Sequence, residues 1–380
     1  KCKISDIGTV VGGATPPTKK TENYENGNIS WITPKDLSSF NGRYIEHGER
    51  NITEVGLKSC HTQLISKNSV LFSSRAPIGY VAIAAKEMCT NQGFKSIIPN
   101  ENTDSLFLYY LLKYNKDKIE NMGSGTTFKE VSGTIMKNIV VSVPTDKQIQ
   151  VKISSFLGVI DDKIEENEKI NNNLEQQAQT IFKSWFIDFE AFSNRKPSDW
   201  SVSTLGNVSI MGAGGDKPQN VSPIKTDLYE YPIYSNGLSN EGLYGFTDKP
   251  KISEESVTVS ARGTIGFVCL RHIPYVPIVR LVTLIPKTEI ISAKYLYLWL
   301  KQLHITGTGT TQQQLTVPDF QKTEILVPSQ EIVTLFTTTV EPIFEKIWAN
   351  QNENEKLSSL RDTLLPKLMS GELDVSNIDL

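Results

Sequence analysis

Arg75 and Arg262 sit in near-identical surroundings: Ser-Ser-Arg-Ala-Pro-Ile-Gly-Tyr-Val at 73–81 and Ser-Ala-Arg-Gly-Thr-Ile-Gly-Phe-Val at 260–268. A cation between short β-rich runs, with Gly or Pro beside it, reads as the tip of a hairpin. Its planar fork of donors can grip a phosphate or bridge the edge of a guanine. Both copies keep it, which fits phosphate positioning better than base reading; a structural arginine bonded to local carbonyls is the plain alternative. Two further loops carry hydrogen-bonding groups on a glycine frame, Gly-Ser-Gly-Thr-Thr at 123–127 and Gly-Thr-Gly-Thr-Thr at 307–311. Thr126, Thr127 and Lys129 belong to the first, Thr310, Thr311 and Gln312 to the second. Glutamine can pair both ways with adenine, whereas a polar turn that ends a helix needs no ligand at all. A third candidate, Trp31-Ile32-Thr33-Pro34-Lys35-Asp36, offers the Thr33 hydroxyl and the Lys35 cation in a predicted loop. Its counterpart lies near Tyr231–Asn236 and differs strongly, as a specificity-determining surface would; the tryptophan itself reads more simply as core.

Groups for catalysis are not arranged for it. His47, His61, His272 and His304 stand apart from one another, and none has an evident serine or cysteine partner. There is no Asn/Asp-Pro-Pro-Tyr/Phe motif and no Walker lysine loop, and Gly212-Ala213-Gly214-Gly215 lacks the spacing of a dinucleotide loop. Cys2, Cys60, Cys89 and Cys269 are scattered without a CxxC pair, and Cys60-His61 has no partners at metal-ligand spacing. The expectation is a non-catalytic, metal-free chain from a reducing cytoplasm.

These residues must be held by elements, and the elements come twice. Phe-Leu-Tyr-Tyr-Leu-Leu-Lys at 107–113 returns as Tyr-Leu-Tyr-Leu-Trp-Leu-Lys at 295–301, and Val-Ser-Val-Pro at 141–144 as Ile-Leu-Val-Pro at 325–328. Between these landmarks the copies diverge, as at 11–60 against 209–250. In each copy a hairpin, a further strand at 94–98 or 280–285, an amphipathic helix at 105–121 or 292–305 and a closing strand make one mixed α/β unit. A long helix follows each. Thr145 and Gln148 form a capping box before the first. Ile153, Phe156, Ile160, Asn171, Leu174 and Ile181 recur at steps of three and four. Val340, Ile343, Ile347, Asn354, Leu357 and Leu364 do the same in the second helix, which Gly371 ends. Two such seams predict an antiparallel pair within this chain, its register set by asparagines; two helices docked separately on their own domains are the alternative. The predicted fold is α/β with two pseudo-repeated globular domains, 1–147 and 193–328, joined by coiled-coil helices at 148–192 and 329–380.

The 380 residues carry a formal net charge of −3. Divided at those boundaries the charge is +4, −4, +2 and −5 in chain order, so a modest basic bias sits in the repeated domains. Solvated Glu-rich helices explain the acidic segments equally well. No run of eighteen apolar residues predicts a membrane span. The chain opens on Lys1 without Met or a secretory leader, and a short native start is expected before it.

Leu360-Arg361-Asp362-Thr363-Leu364-Leu365-Pro366-Lys367-Leu368-Met369-Ser370-Gly371-Glu372-Leu373 resembles the C-terminal signature of type I restriction–modification specificity subunits. Phe182-Lys183-Ser184-Trp185-Phe186-Ile187-Asp188-Phe189 is similar to the end of that family's central helix, and Thr90-Asn91-Gln92-Gly93-Phe94-Lys95 to a stretch of its recognition domains. The resemblance spans the whole chain. It implies a subunit without catalysis that reads a bipartite double-stranded DNA target, one half-site per domain. It implies as partners two methyltransferase subunits that use S-adenosylmethionine, and two restriction subunits that cleave DNA with ATP and Mg. Tyr275–Arg280 replaces the Asn-Gln-Gly stretch in the second copy, which leaves Asn91 and Gln92 without a shared role. Two other readings stand beside it: a fragment of a fused, self-contained restriction–modification enzyme, and a duplicated coiled-coil adaptor or lectin-like binder.

Overall fold

The computed structural model describes residues 1–38, 40–125, 129–307 and 314–375. The chain divides into two compact units, Lys1–Glu168 with Gln351–Leu380, and Lys169–Asn350. The long helices Lys147–Phe186 and Gln330–Ser370 each give one half to either unit. Among the described residues no helix is long and apolar enough to cross a membrane.

In the first unit a five-stranded sheet runs in the order Gly8–Gly12, Lys95–Pro99, Val70–Ser74, Ile78–Ala84, Tyr44–Ile45. A three-stranded sheet, Arg50–Ile52, Ile29–Ile32, Cys89–Thr90, and the pair Cys2–Lys3 with Val140–Val141 complete it. Alternate side chains of a strand point to opposite faces, and here both faces are covered. Val70, Phe72 and Ile83 pack with the helix Ser105–Tyr114, whereas Leu71, Ala82 and Ala84 pack with Ile32 and Phe94 on the other side. That helix starts on Asp104, whose carboxylate accepts from Phe107 N at 2.7 Å, and buries Phe107 through Leu112. At about 1.5–3 kcal/mol per large apolar side chain, this helix is a principal stabiliser of the unit.

The second unit repeats the plan, without a counterpart of the edge strand Tyr44–Ile45 in its main sheet. Its four-stranded sheet is Ser209–Ala213, Leu281–Pro286, Ser256–Ser260, Val268–Arg271. Its three-stranded sheet is Leu243–Thr247, Tyr231–Tyr234, Val276–Pro277, and Ser201–Thr204 pairs with Glu324–Val327. In both three-stranded sheets the central strand has one antiparallel and one parallel neighbour. Glycines hold the matching corners. A Cβ on Gly13 would lie 2.2 Å from Thr90 O, and one on Gly214 only 2.1 Å from Ile278 O, so backbone approaches backbone in both units. Within the Gly212–Gly215 run it is Gly214 that this packing requires, whereas a Cβ on Gly212 would meet open space.

Several local expectations change. The helix expected over 105–121 breaks at Asn115, whose side-chain amide turns back to Leu111 O at 2.8 Å, and a second helix runs Lys116–Asn121. The central helix is capped by Asp146, which accepts from Gln148 N at 2.8 Å, and the Thr145 capping box does not form. Trp31 and Ile32 lie in a strand and Pro34–Ser38 is a short helix, so this stretch is no loop; Trp31 is buried, its indole N–H donating to Ala14 O. Gly371, at φ 79°, does end the last helix.

The helices pair antiparallel in each unit. In the first, Ile153, Leu157, Leu368 and Met369 are buried in one core, with Phe156 and Leu364 packed against it, and Ile160 is also buried. Asn167 donates to Asn354 Oδ1 at 2.9 Å and to Glu353 Oε2 at 2.8 Å. In the second, Ala178, Phe182 and Phe186 meet Phe336, Val340 and Ile347, with Leu174, Ile181 and Ile343 packed beside them. There Asn350 donates to Asn171 Oδ1 at 2.8 Å, and Asn171 to Ile347 O at 3.3 Å. Leu357 is half-buried.

Candidate nucleic-acid interface

The hairpins form at the expected places. Val70–Ser74 pairs antiparallel with Ile78–Ala84, and Ser256–Ser260 with Val268–Arg271. Gly79 at φ 100° and Gly266 at φ 84° hold the same position past the tip, in a region where a side chain would be strained. Ser73 Oγ donates to Pro77 O at 2.8 Å and accepts from Tyr80 N at 2.8 Å, closing the first tip.

Each tip is tied to two other segments by the same backbone bonds. Ser74 N donates to Gly93 O at 2.7 Å and Ser74 O accepts from Val131 N at 2.9 Å; Ala261 N donates to Arg280 O at 2.8 Å and Ala261 O accepts from Leu315 N at 2.8 Å. Arg75 and Arg262 are the next residues along. The hairpin tip, the turn at 91–93 or 278–280 and the far flank of the Gly-Thr loop thus meet at one place in each unit. Thr126, Thr127, Thr310, Thr311 and Gln312 lie outside the described residues; Lys129 is exposed at that flank.

The strongly divergent stretch reaches the same place. Asn91 N donates to Ile32 O at 2.9 Å, and Pro34 crowds Gly93, where a Cβ would come within 2.8 Å of its Cγ. In the second unit Asn236 Nδ2 donates to Arg262 O at 2.7 Å. Thr33 accordingly begins its helix beside the site: its N–H and hydroxyl both donate to Asp36 Oδ2, at 2.7 and 2.6 Å. Lys35 is exposed and pairs with Glu49 at 2.7 Å. Asn91 accepts from Gly93 N at 2.8 Å and shapes its own turn, and Gln92 is bonded to the Thr15 hydroxyl. In the second unit the corresponding turn ends on Arg280 at φ 74° where the first has Gly93, and it has no Asn-Gln pair.

The charges around the tips differ. In the first unit Glu130 lies 3.4 Å from Arg75 Nη1 and 3.4 Å from Lys95 Nζ. In the second, Arg262 follows Ala261, and the exposed Arg280 stands beside Ala261 at the position that Gly93 holds in the first. Sequence reasoning missed Lys95 and Glu130 beside Arg75 and Arg280 beside Ala261, because only the tertiary fold brings these segments together.

Buried ion pairs, also unforeseen, fix each globular part to a helix of its own unit. Arg43 donates to Glu165 Oε1 at 2.9 Å and to Gly158 O at 3.3 Å, and also to Asp162. Burial pulls its pKa down, but the bonds to Glu165 and Asp162 outweigh this and raise it. Tyr110 and Arg361 both donate to the buried Asp161, at 2.6 and 2.8 Å. Burial and then Asp161 push the Tyr110 phenol well up, so it remains a donor. In the second unit Tyr297 donates to Glu175 at 2.6 Å, and the buried Lys294 pairs with Glu255 and Glu341 at 2.8 and 3.0 Å. No group of acidic, histidine or cysteine side chains that could hold a metal occurs among the described residues.

Residues 1–176 and 197–358 match the family described as the type I restriction modification DNA specificity domain. The chain belongs to this family. It is 35% identical to the type I restriction enzyme MjaIX specificity subunit of Methanocaldococcus jannaschii, over 99% of this chain and 94% of that one. It is 26% identical to the HindI specificity subunit of Haemophilus influenzae, over 91% of this chain and 94% of the relative. The crystal structure of a type I restriction–modification S subunit from M. genitalium shares the fold, with a TM-score of 0.57 at 18% identity, over 97% of this chain and 95% of that one. The chain is thus a specificity subunit by family, built as two repeated domains joined by long antiparallel helices.

Proposed function

We propose that this chain selects the DNA on which a type I restriction–modification complex acts, reading a bipartite double-stranded target with one half-site per unit. The observation that carries this is the repeated arginine hairpin. The same sheet order and backbone bonds hold it in both units, while the segments that converge on it differ. A constant cation that positions the backbone, ringed by variable side chains that meet base edges, is the division of labour that sequence reading requires. Its partners in this reading are two methyltransferase subunits, which bring S-adenosylmethionine, and two restriction subunits, which bring ATP and Mg; the chain itself adds no catalytic group and works in the cytoplasm.

Selection from a random duplex library by the full-length chain tests the reading. It should recover two short conserved blocks separated by a fixed number of unconserved base pairs. One contiguous block would overturn the two-reader assignment. The purified chain should also neither methylate DNA nor bind S-adenosylmethionine, and clear binding of that cofactor would remove the non-catalytic reading.

A further inference from the structure

The carboxylate beside the first arginine is the feature that a repeated scaffold leaves unexplained. Val131 N and Leu315 N donate to the residue before each arginine, so their predecessors, Glu130 and Gln314, occupy the same position in the two units. The first copy therefore has an acid against its tip cation at the position where the second copy has a glutamine. Glu130 sits between two cations, 3.4 Å from Arg75 and 3.4 Å from Lys95, and Lys95 also reaches Ser74 Oγ at 3.4 Å. The bonds are long, and the Arg75 and Glu130 side chains are 36% and 38% exposed, so the cluster contributes little to holding the fold together. Its consequence falls instead on whatever anion approaches. The geometry of one carboxylate oxygen facing each cation is that of a phosphate bridging an arginine and a lysine.

We infer that Glu130 is an internal stand-in for a DNA phosphate. It occupies Arg75 and Lys95 in the free chain, must be displaced when a phosphate arrives, and weakens the grip of the first unit on DNA of any sequence. Base contacts then decide how long the first unit stays. The inference rests on the DNA-reading role proposed above.

The test is a salt series on the full-length chain with two duplexes, the one recovered by selection and a scrambled one of equal length. Glu130→Gln should tighten binding of both by about fivefold, the effect of one unit charge at contact distance in water. It should also steepen the dependence of log affinity on log salt by about one. Glu130→Asp, which keeps the charge, should stay near the parent. In an Arg75→Ala, Lys95→Ala background the gain from Glu130→Gln should fall below about twofold, since the stand-in has then lost both partners. The reciprocal change Gln314→Glu should weaken both duplexes. Unchanged or weaker binding by Glu130→Gln would overturn the inference and make Glu130 a support for Arg75. A change confined to one base pair would overturn it as well, with Glu130 then accepting from a cytosine amino group. A parent chain that does not distinguish the two duplexes would overturn both this inference and the DNA-reading role. Selective binding by the parent with no gain in Glu130→Gln would leave that role standing and remove only the stand-in.

Discussion

A guanidinium at a hairpin tip contributes to DNA binding mainly by displacing a counterion, a term independent of sequence and steeply dependent on salt. Arg75→Ala and Arg262→Ala should each weaken binding of all duplexes alike and flatten the salt slope by about one. Titration of a cognate and a scrambled duplex at several salt concentrations checks this, and a loss confined to one base position would assign the arginine to base reading instead. Asp161 poses a different problem, because it is buried with two donors, Tyr110 and Arg361. Removing the cation by Arg361→Ala leaves a buried carboxylate with the phenol alone, and should cost about 3 kcal/mol of stability. Denaturant unfolding reads this directly; a loss under about 1 kcal/mol would show that the network is dispensable. At this scale the sequence was informative about type and silent about company. The shared motif marks Arg75 and Arg262, but Glu130 and Lys95 come from strands and loops far along the chain. Arg361 lies in a recognisable signature whose words do not say that it meets Asp161.

Among the elements, the hairpins and the helical seams were legible because period-two and period-3.6 patterns are local properties. The errors came where local chemistry competes closely. Asn115 breaks a continuous apolar pattern by bonding its own preceding carbonyl, and Asp146 takes the cap from its neighbour Thr145. The strand at Trp31 is short and ends in Thr33-Pro34, which hides it in a polar stretch. The helical register carries a prediction of its own. Asn167 meets Asn354 in the first unit and Asn171 meets Asn350 in the second. Four residues inserted between Glu168 and Lys169 alone lengthen one helix and not its mate, so one asparagine pair must break. Four more between Asn350 and Gln351 let both pairs form, at the cost of a small rotation of the apolar stripe. Thermal unfolding should show a clear drop for the single insertion and substantial recovery for the double one. Equal midpoints for the two variants would show that the asparagine pairs do not set the register.

For the molecule as a whole, duplication is the organising fact, visible in the sequence as repeated motifs and in the structure as repeated sheet order. The glycines Gly13 and Gly214, in segments whose sequences share nothing obvious, show that the repeat extends further than the motifs do. What duplication could not disclose is how far each helix half is absorbed into a globular core. Ile153 and Leu157 belong to the core of the first unit, and Phe182 and Phe186 to that of the second. Two units built alike and furnished differently should read their half-sites independently, which is the central claim. The most direct measurement replaces residues 1–147 with the equivalent segment of another family member and repeats the library selection with the full-length hybrid. One block of the recovered target should change and the other, with its sequence intact, should remain. A hybrid that folds but alters both blocks, or neither, would contradict the account.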